Sequence, residues 1–313
     1  MQGLVTVFGG SGFVGTQIVH ALARQGWRIR IASRRPGRAY ETQPFGDVGQ
    51  IQRVRADITD RDSVARALSG AVACVNLPGV LHGKFQAVHV DGARNVAEAC
   101  AALAVQRLVH FSALGADLDS PSRYASSKAQ GEQAVRRAFP DATIMRPSIV
   151  FGPEDSFFNR FAAMASYSPV LPLFGGGGNR YQPVYVGDVA HAVARALLDP
   201  QAPGQTYDLA GPSTYTFKEL MQIVVRETGK PRVLLPLPHA AGTLIGMAGN
   251  VQGLLMTPVL TTDQALLLRV DNVASPDRPG LEALGVTPTS VEAIVPTYLW
   301  RYRKGGQFAE AAA

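Results

Sequence analysis

A short run of β-forming residues, Leu4-Val5-Thr6-Val7-Phe8, breaks into the glycine loop Gly9-Gly10-Ser11-Gly12-Phe13-Val14-Gly15. A helical period follows at once, with Val14, Ile18, Val19 and Leu22 on one face. A strand that feeds a helix through so short a turn must return to the same sheet, and strand and helix signals go on alternating. The sequence predicts strands over 27–32, 51–55, 72–76, 107–112 and 142–146, with helices over 61–69, 85–104 and 122–139 between them. That alternation specifies an α/β protein with a doubly wound parallel sheet. Such a sheet is buried on both faces, which accounts for continuously apolar strands such as Ala73-Cys74-Val75.

The rhythm breaks after residue 150, where Pro153, Pro169, Pro172 and the run Gly175-Gly176-Gly177-Gly178 punctuate an irregular stretch. A helix over 187–198 and a strand over 206–210 complete the sheet, and helical patterns near 216–228, 239–256 and 289–302 follow. The expected architecture is a Rossmann-type domain from residues 1–150 and 181–210. A smaller, mostly helical C-terminal docking domain takes 151–180 and 211–305, and 306–313 form a flexible tail.

The loop carries the first chemistry. Glycine at 9, 12 and 15 lets the turn tighten and the backbone approach a pyrophosphate, and the helix start offers unpaired N–H groups to it. Gly9, Gly12, Phe13, Val14 and Gly15 are therefore candidate contacts for a dinucleotide. The second strand ends in Ser33-Arg34-Arg35, with Arg38 close by, where a carboxylate would select a free ribose hydroxyl. Guanidinium forks suit a 2′-phosphate instead, so NADPH (or NADP+) is the expected cofactor. Asp57 and Ile58 follow the third strand; there Asp57 reads either as an adenine contact or as a helix cap. Asn76, Leu77 and Gly79 end the fourth strand at the carboxyl edge, where folds of this kind place ligands.

Tyr124 and Lys128 stand four apart on one helix and share a face. An ammonium there favours the phenolate, so Tyr124 suits acid–base work on a carbonyl or hydroxyl, with Ser112 polarising the same oxygen. A second reading keeps the same residues as cofactor contacts alone, with no proton transferred.

Composition narrows the partners. A net charge of +6 suits an anionic partner without selecting one, and the absence of a dense Lys/Arg tract interleaved with aromatics argues against nucleic acid. Two cysteines, Cys74 and Cys100, are too few for a disulfide framework and sit in apolar runs, which points to a reducing compartment. No histidines pair at metal-ligand spacing, so no metal is expected, and His89 reads as a packing residue. Phe157, Phe158 and Phe161 at helical spacing read as core. Residues 239–258 hold an apolar face too broken by glycine and amide side chains to span a membrane, which leaves an interfacial or internal helix. Arg301, Arg303 and Lys304 beside Trp300 and Tyr302 fit phospholipid headgroups or acidic subunits, or a solvated final turn. The chain opens directly into its first strand without a signal-like segment.

In order, the glycine loop, the Asp57 turn, Asn76-Leu77-Pro78-Gly79, Ser112, Tyr124-Ala125-Ser126-Ser127-Lys128 and Arg146-Pro147-Ser148-Ile149-Val150-Phe151-Gly152 resemble the extended or atypical short-chain dehydrogenases. The resemblance implies that Pro147 and Ile149 pass near the nicotinamide. A narrower likeness rests on Ile149 to Ala162, on Ser122-Arg123-Tyr124, on Pro183-Val184-Tyr185-Val186 and on the segment from Leu284 to Tyr302. Over nearly the whole chain it is similar to the accessory NADPH-binding subunits (alpha subcomplex subunit nine) of respiratory complex I, the proton-pumping NADH:ubiquinone oxidoreductase. That likeness implies a redox-inert protein that holds NADPH as a structural cofactor and stabilises the peripheral arm near the quinone site. It implies other complex I subunits as partners and a peripheral place on the cytoplasmic side of a bacterial inner membrane, or on the matrix side in a mitochondrion. Ser112, Tyr124 and Lys128 are then vestigial. The alternative is a free-standing NADP(H)-dependent oxidoreductase or epimerase that uses them.

Overall fold

The computed structural model describes residues 2–238, 240–241 and 261–308, and the predicted helix over 239–258 lies almost wholly outside them. The chain divides into two compact units. The first comprises 1–147, 186–209 and 275–287; the second comprises 148–185, 210–274 and 288–313.

In the first unit the strands are β1 (Leu4–Phe8), β2 (Arg28–Ser33), β3 (Ile51–Arg55), β4 (Ala73–Asn76), β5 (Arg107–Phe111), β6 (Thr143–Pro147) and β7 (Thr206–Leu209). They form one sheet in the order β7-β6-β5-β4-β1-β2-β3, and every pairing is parallel. The order reverses direction between β1 and β4, the switch point at which doubly wound sheets leave a crevice at their carboxyl ends. Helices α1 (Phe13–Arg24), α2 (Arg61–Leu68), α3 (Ala93–Ala102), α4 (Arg123–Ala138) and α5 (Val186–Ala196) make the crossovers and flank the sheet. Val5, Val7, Ile29, Ile31, Cys74 and Val75 are all fully buried, as a sheet covered on both faces requires. Side-chain caps set two of these helix starts: Asp60 caps α2 by accepting from the N–H groups of Asp62 and Ser63, and Ser122 caps α4 through Ala125 N–H. The predicted helix over 85–104 is two pieces, because a π-helix, Gln86–Gly92, precedes α3.

Residues 275–287, which the sequence assigns to the C-terminal region, pack in the first unit. Asp208 of β7 holds them: its N–H donates to the Pro279 carbonyl (3.0 Å) and its carboxylate accepts from Ser275 N–H (3.1 Å).

The second unit is built around aromatic and aliphatic side chains from helices Phe158–Tyr167 and Phe217–Thr228 and from residues 291–299. Phe158 is fully buried, and Phe157 meets Phe158 and Phe161 edge-on at 5.2 and 5.3 Å between ring centres, so these phenylalanines pack as core. Among the described residues three two-stranded sheets accompany the helices, one of them Val170–Phe174 paired with Val233–Leu237. The expected helix over 289–302 is divided: Pro296 starts a new turn after Val291–Ile294, since proline cannot continue the hydrogen-bond ladder it enters. Among the described residues no helix is long and apolar enough to cross a membrane.

Candidate functional site

All but one of the site residues expected from sequence fall in the first unit, at the carboxyl ends of β1 to β6, on the loops that leave them and on helices α1 and α4. Ile149 is the exception; it belongs to the second unit, where its carbonyl accepts from Val184 N–H.

The glycine loop is shaped by backbone contact. Gly9 holds φ +81° and its N–H donates to the Ala32 carbonyl on β2, which draws the loop over the switch point. A Cβ on Gly15 would stand 2.3 Å from the Gly9 oxygen and 2.7 Å from Gly10 Cα, so the helix start and the loop touch backbone to backbone. Around Gly12 the space is open, with only the Gly9 oxygen at 3.5 Å. Gly12 also caps α1 without a side chain, so the first-turn N–H groups, at Phe13 and Val14, have no side-chain acceptor. An anion is the natural partner for that arrangement.

At the end of β2, Arg34 and Arg35 are exposed. Arg34 faces Asp57, which follows β3. Burial disfavours the Asp57 carboxylate, but the Thr59 N–H (3.0 Å) and hydroxyl (2.8 Å), with Arg34 and Lys84 nearby, outweigh it and hold the carboxyl below its ordinary value. Asp57 thus closes a local turn rather than capping α2, a role Asp60 takes. Ile58 turns its side chain into the core and its carbonyl accepts from Asn95 (3.0 Å).

Three buried polar atoms at the carboxyl ends of β2, β4 and β5 have no hydrogen-bond partner among the described residues: Ser33 Oγ, Asn76 Oδ1 and, just past β5, Ser112 Oγ; Asp208 Oδ1 in β7 is a fourth, with the Arg278 guanidinium 3.8 Å away. Unpaired polar atoms of this kind are costly inside a protein and are ordinarily matched by protein, water or ligand. The open Gly12 turn and these three atoms fit a long polar ligand lying across the carboxyl edge. Leu77 continues β4 by donating to the Phe8 carbonyl, and Pro147 closes β6 by accepting from Leu114 N–H. Gly79 lies against Lys128: a Cβ there would be 3.3 Å from Nζ.

Lys128 is almost wholly buried and Nζ donates to the Phe111 carbonyl (3.0 Å), one residue before Ser112. That bond brings α4 to the carboxyl end of β5. Burial lowers the Lys128 ammonium to about 8, with Glu132 opposing the fall. Tyr124 is half-buried and its phenol is raised to about 12 by burial. Burial favours the protonated phenol, the direction opposite to the one an adjacent ammonium gives.

Two histidines stand beside this lysine, His110 and the His89 that the sequence reads as a packing residue. His110 on β5 receives a hydrogen bond from Asn76 Nδ2 (3.1 Å) at its Nδ1, and His89 in the π-helix bonds Val80 N–H and Ser127. Burial, then the Lys128 charge, drops both to about 3, so both rings are neutral near pH 7. A histidine inside the apolar run Arg107-Leu108-Val109-His110-Phe111 was the available signal for the first; the partners of the second are too distant in sequence to leave one. Among the described residues no group of three or more potential ligands could hold a metal.

Residues 5–210 match the NAD dependent epimerase/dehydratase family. The chain is 34% identical over 307 residues to the rat (Rattus norvegicus) NADH dehydrogenase (ubiquinone) 1 alpha subcomplex subunit 9, covering 96% of this chain and 80% of that protein. It is 35% identical over 326 residues to the Arabidopsis thaliana protein of the same name, with 98% and 80% covered. A Caulobacter vibrioides ceramide reductase is 33% identical over 252 residues, 78% of either chain. Among solved structures, the NADPH-dependent quinone oxidoreductase QOR2 of Escherichia coli shares the fold, with a TM-score of 0.76 at 21% identity over 95% of this chain and 99% of that one. Fold, carboxyl-edge site and whole-chain likeness agree: the chain belongs to the NAD dependent epimerase/dehydratase family and, within it, to the family of the alpha subcomplex subunit 9 proteins of NADH dehydrogenase (ubiquinone).

Proposed function

We propose that this chain is an accessory subunit of a proton-pumping NADH:ubiquinone oxidoreductase and that it holds NADPH as a structural cofactor. The observation that carries the reading is the extent of the likeness: 34–35% identity to the rat and Arabidopsis subunits runs through both units and 96–98% of the chain.

In this reading Gly9, Gly12, Phe13, Val14 and Gly15 cradle the pyrophosphate, and Ser33, Arg34 and Arg35 meet the 2′-phosphate. Asp57 and Ile58 border the adenine. Asn76, Leu77, Gly79, Ser112, Tyr124, Lys128, Pro147 and Ile149 surround the nicotinamide half. Bound nucleotide would supply binding free energy to the folded state, about 4 kcal/mol at a thousandfold excess over Kd. With the phenol at about 12, Tyr124 carries its proton at neutral pH. Other subunits of the complex are the partners. We place the chain peripherally at the membrane, on the cytoplasmic side in a bacterium or the matrix side in a mitochondrion, with phospholipid headgroups as further contacts.

A second reading rests on the likeness to the ceramide reductase and on the presence of Ser112, Tyr124 and Lys128 together: an NADP(H)-dependent reductase or epimerase acting by itself. One experiment separates the two. The tagged chain is recovered from detergent-solubilised native membranes and its companions are identified by mass spectrometry. Stoichiometric oxidoreductase subunits support the first reading. Recovery of the chain alone, with a substrate-dependent change at 340 nm that Tyr124→Phe abolishes, replaces it with the second. In the same preparation Arg34→Ser with Arg35→Ser is expected to erase a preference for NADPH over NADH of about tenfold or more.

A further inference from the structure

The π-helix Gln86–Gly92 sits between the loop that leaves β4 and the face of α4 that carries Tyr124 and Lys128, and one residue of it touches both. His89 is 2% exposed. A π turn carries one residue more than an α turn and displaces the backbone locally, which lets a helix push a side chain where a regular spiral would not reach. Here the approach is extreme: a Cβ on Gly131 of α4 would lie 2.1 Å from the His89 carbonyl oxygen, so only glycine at 131 lets the two helices meet this closely.

The imidazole is fully used. Nε2 accepts from Val80 N–H at 2.9 Å, and Nδ1 lies 2.8 Å from Ser127 Oγ. Ser127 Oγ in turn donates to the Tyr124 carbonyl at 2.9 Å. These contacts leave one proton assignment. A backbone N–H can only donate, so Nε2 is bare; Nδ1 then carries the proton and gives it to Ser127, whose own proton goes to Tyr124. The result is a directed chain of three hydrogen bonds from the loop at Val80, through His89 and Ser127, to the backbone of Tyr124. Gly79, next to Val80, faces the Lys128 ammonium, and the His89 Nε2 lies 3.6 Å from where a Gly79 Cβ would be. His89 also packs edge-on to the Tyr124 ring at 5.5 Å.

We propose that His89 is a positioning residue for the nicotinamide half of the dinucleotide site, clamping loop 77–80 to α4 so that Leu77, Gly79, Tyr124 and Lys128 form one rigid wall. The inference rests on the nucleotide reading of the first unit. A packing residue, as the sequence suggests, needs volume at this point and no acceptor. A clamp needs an acceptor for Val80 N–H above all, because that bond is what fixes the loop.

The test uses the full chain and two probes, NADPH and adenosine 2′,5′-bisphosphate; the second carries the adenosine half and no nicotinamide. His89→Leu keeps volume and deletes the acceptor; His89→Gln places an amide oxygen near the Nε2 position; Ser127→Ala removes only the middle link. His89→Leu is expected to weaken NADPH binding about tenfold while the bisphosphate stays within about twofold, with His89→Gln restoring most of the loss. Ser127→Ala should show the same selectivity at smaller size, and it decides the matter if His89→Leu does not fold. Parallel loss of both probes together with thermal stability overturns the proposal, as does a His89→Gln variant as weak as His89→Leu, or a Ser127→Ala variant with no selective loss. Failure of the unsubstituted chain to bind either probe overturns the nucleotide reading itself and takes the inference with it.

Discussion

Two buried polar places in this molecule look alike in a sequence and behave in opposite ways. In the second unit, Asp155 is 3% exposed and its carboxylate accepts four hydrogen bonds, from the N–H groups of Gly152, Phe157 and Asn159 and from the Tyr298 hydroxyl at 2.5 Å. In the first unit, Ser33, Asn76 and Ser112 bury polar atoms at the carboxyl ends of β2, β4 and β5 that meet nothing among the described residues, and Lys128 buries an ammonium that donates to the Phe111 carbonyl. Other buried atoms without hydrogen-bond partners lie elsewhere: Gln25 and Trp27 precede β2, Asp208 Oδ1 lies in β7 with Arg278 at 3.8 Å, and Tyr181 belongs to the second unit. Buried polarity by itself therefore marks nothing. A fully met group is a staple, and unmet ones along a sheet's carboxyl edge are the groups a bound ligand would satisfy.

The contrast has measurable consequences, because removing a met group should cost stability, whereas removing an unmet one should raise it and lower ligand affinity. The largest effect is expected at the loop that lays the ligand down. Gly15→Val drives side-chain carbon into the Gly9 and Gly10 backbone, and should destabilise by about 3 kcal/mol or more and abolish nucleotide retention. Denaturant midpoints and nucleotide content per purified chain measure both, and near-normal values would mean the loop is not the cradle. Next, Asp155→Ala leaves the Tyr298 hydroxyl and three N–H groups without their acceptor and should cost about 3 kcal/mol of unfolding free energy. Retained nucleotide with lowered stability keeps the comparison intact; a stable variant breaks it.

Lys128→Met should act with the opposite sign on stability. Burial holds the folded-state lysine at about 8, below its ordinary 10.5, so between those values the unfolded chain binds the extra proton and stability rises with pH. Below about 8 the penalty for burying the charge is present in full. Replacing the ammonium should therefore stabilise by about 2 kcal/mol at pH 7, allowing for the lost bond to Phe111, with the gain fading as pH approaches 10.5, while NADPH retention falls. A variant less stable at pH 7 than the parent would place Lys128 with the staples. The smallest effect belongs to Ser112→Ala, which removes one unmet hydroxyl: a gain of about 1 kcal/mol without nucleotide, and a severalfold weaker NADPH affinity by titration. If stability drops instead, the hydroxyl has a partner in solution and the contrast narrows to Ser33 and Asn76.

Much of this site was legible before any coordinate. The glycines at 9, 12 and 15, the arginines after β2 and the Tyr124–Lys128 pair are local patterns, each set by residues within a few positions of one another. What escaped is non-local. The Val80–His89–Ser127 chain joins residues 9 and 38 positions apart, and the pairing of Val170 with Val233 crosses 63, distances over which no periodicity survives. The π-helix escaped because Gln86–Gly92 and the α-helix after it present one continuous helical pattern.

The sequence by itself determined the doubly wound parallel sheet and the family, since alternating apolar runs, glycine turns and helix caps are short-range properties that the backbone must obey wherever it goes. Tertiary structure alone decided the charge states. Nothing in the order Tyr124-Ala125-Ser126-Ser127-Lys128 says that the phenol rises to about 12 and the lysine falls to about 8; water excluded by packing does that. It also decided which buried polar atoms are answered and which are left for a ligand, because satisfaction is a property of neighbours brought together only by the completed fold.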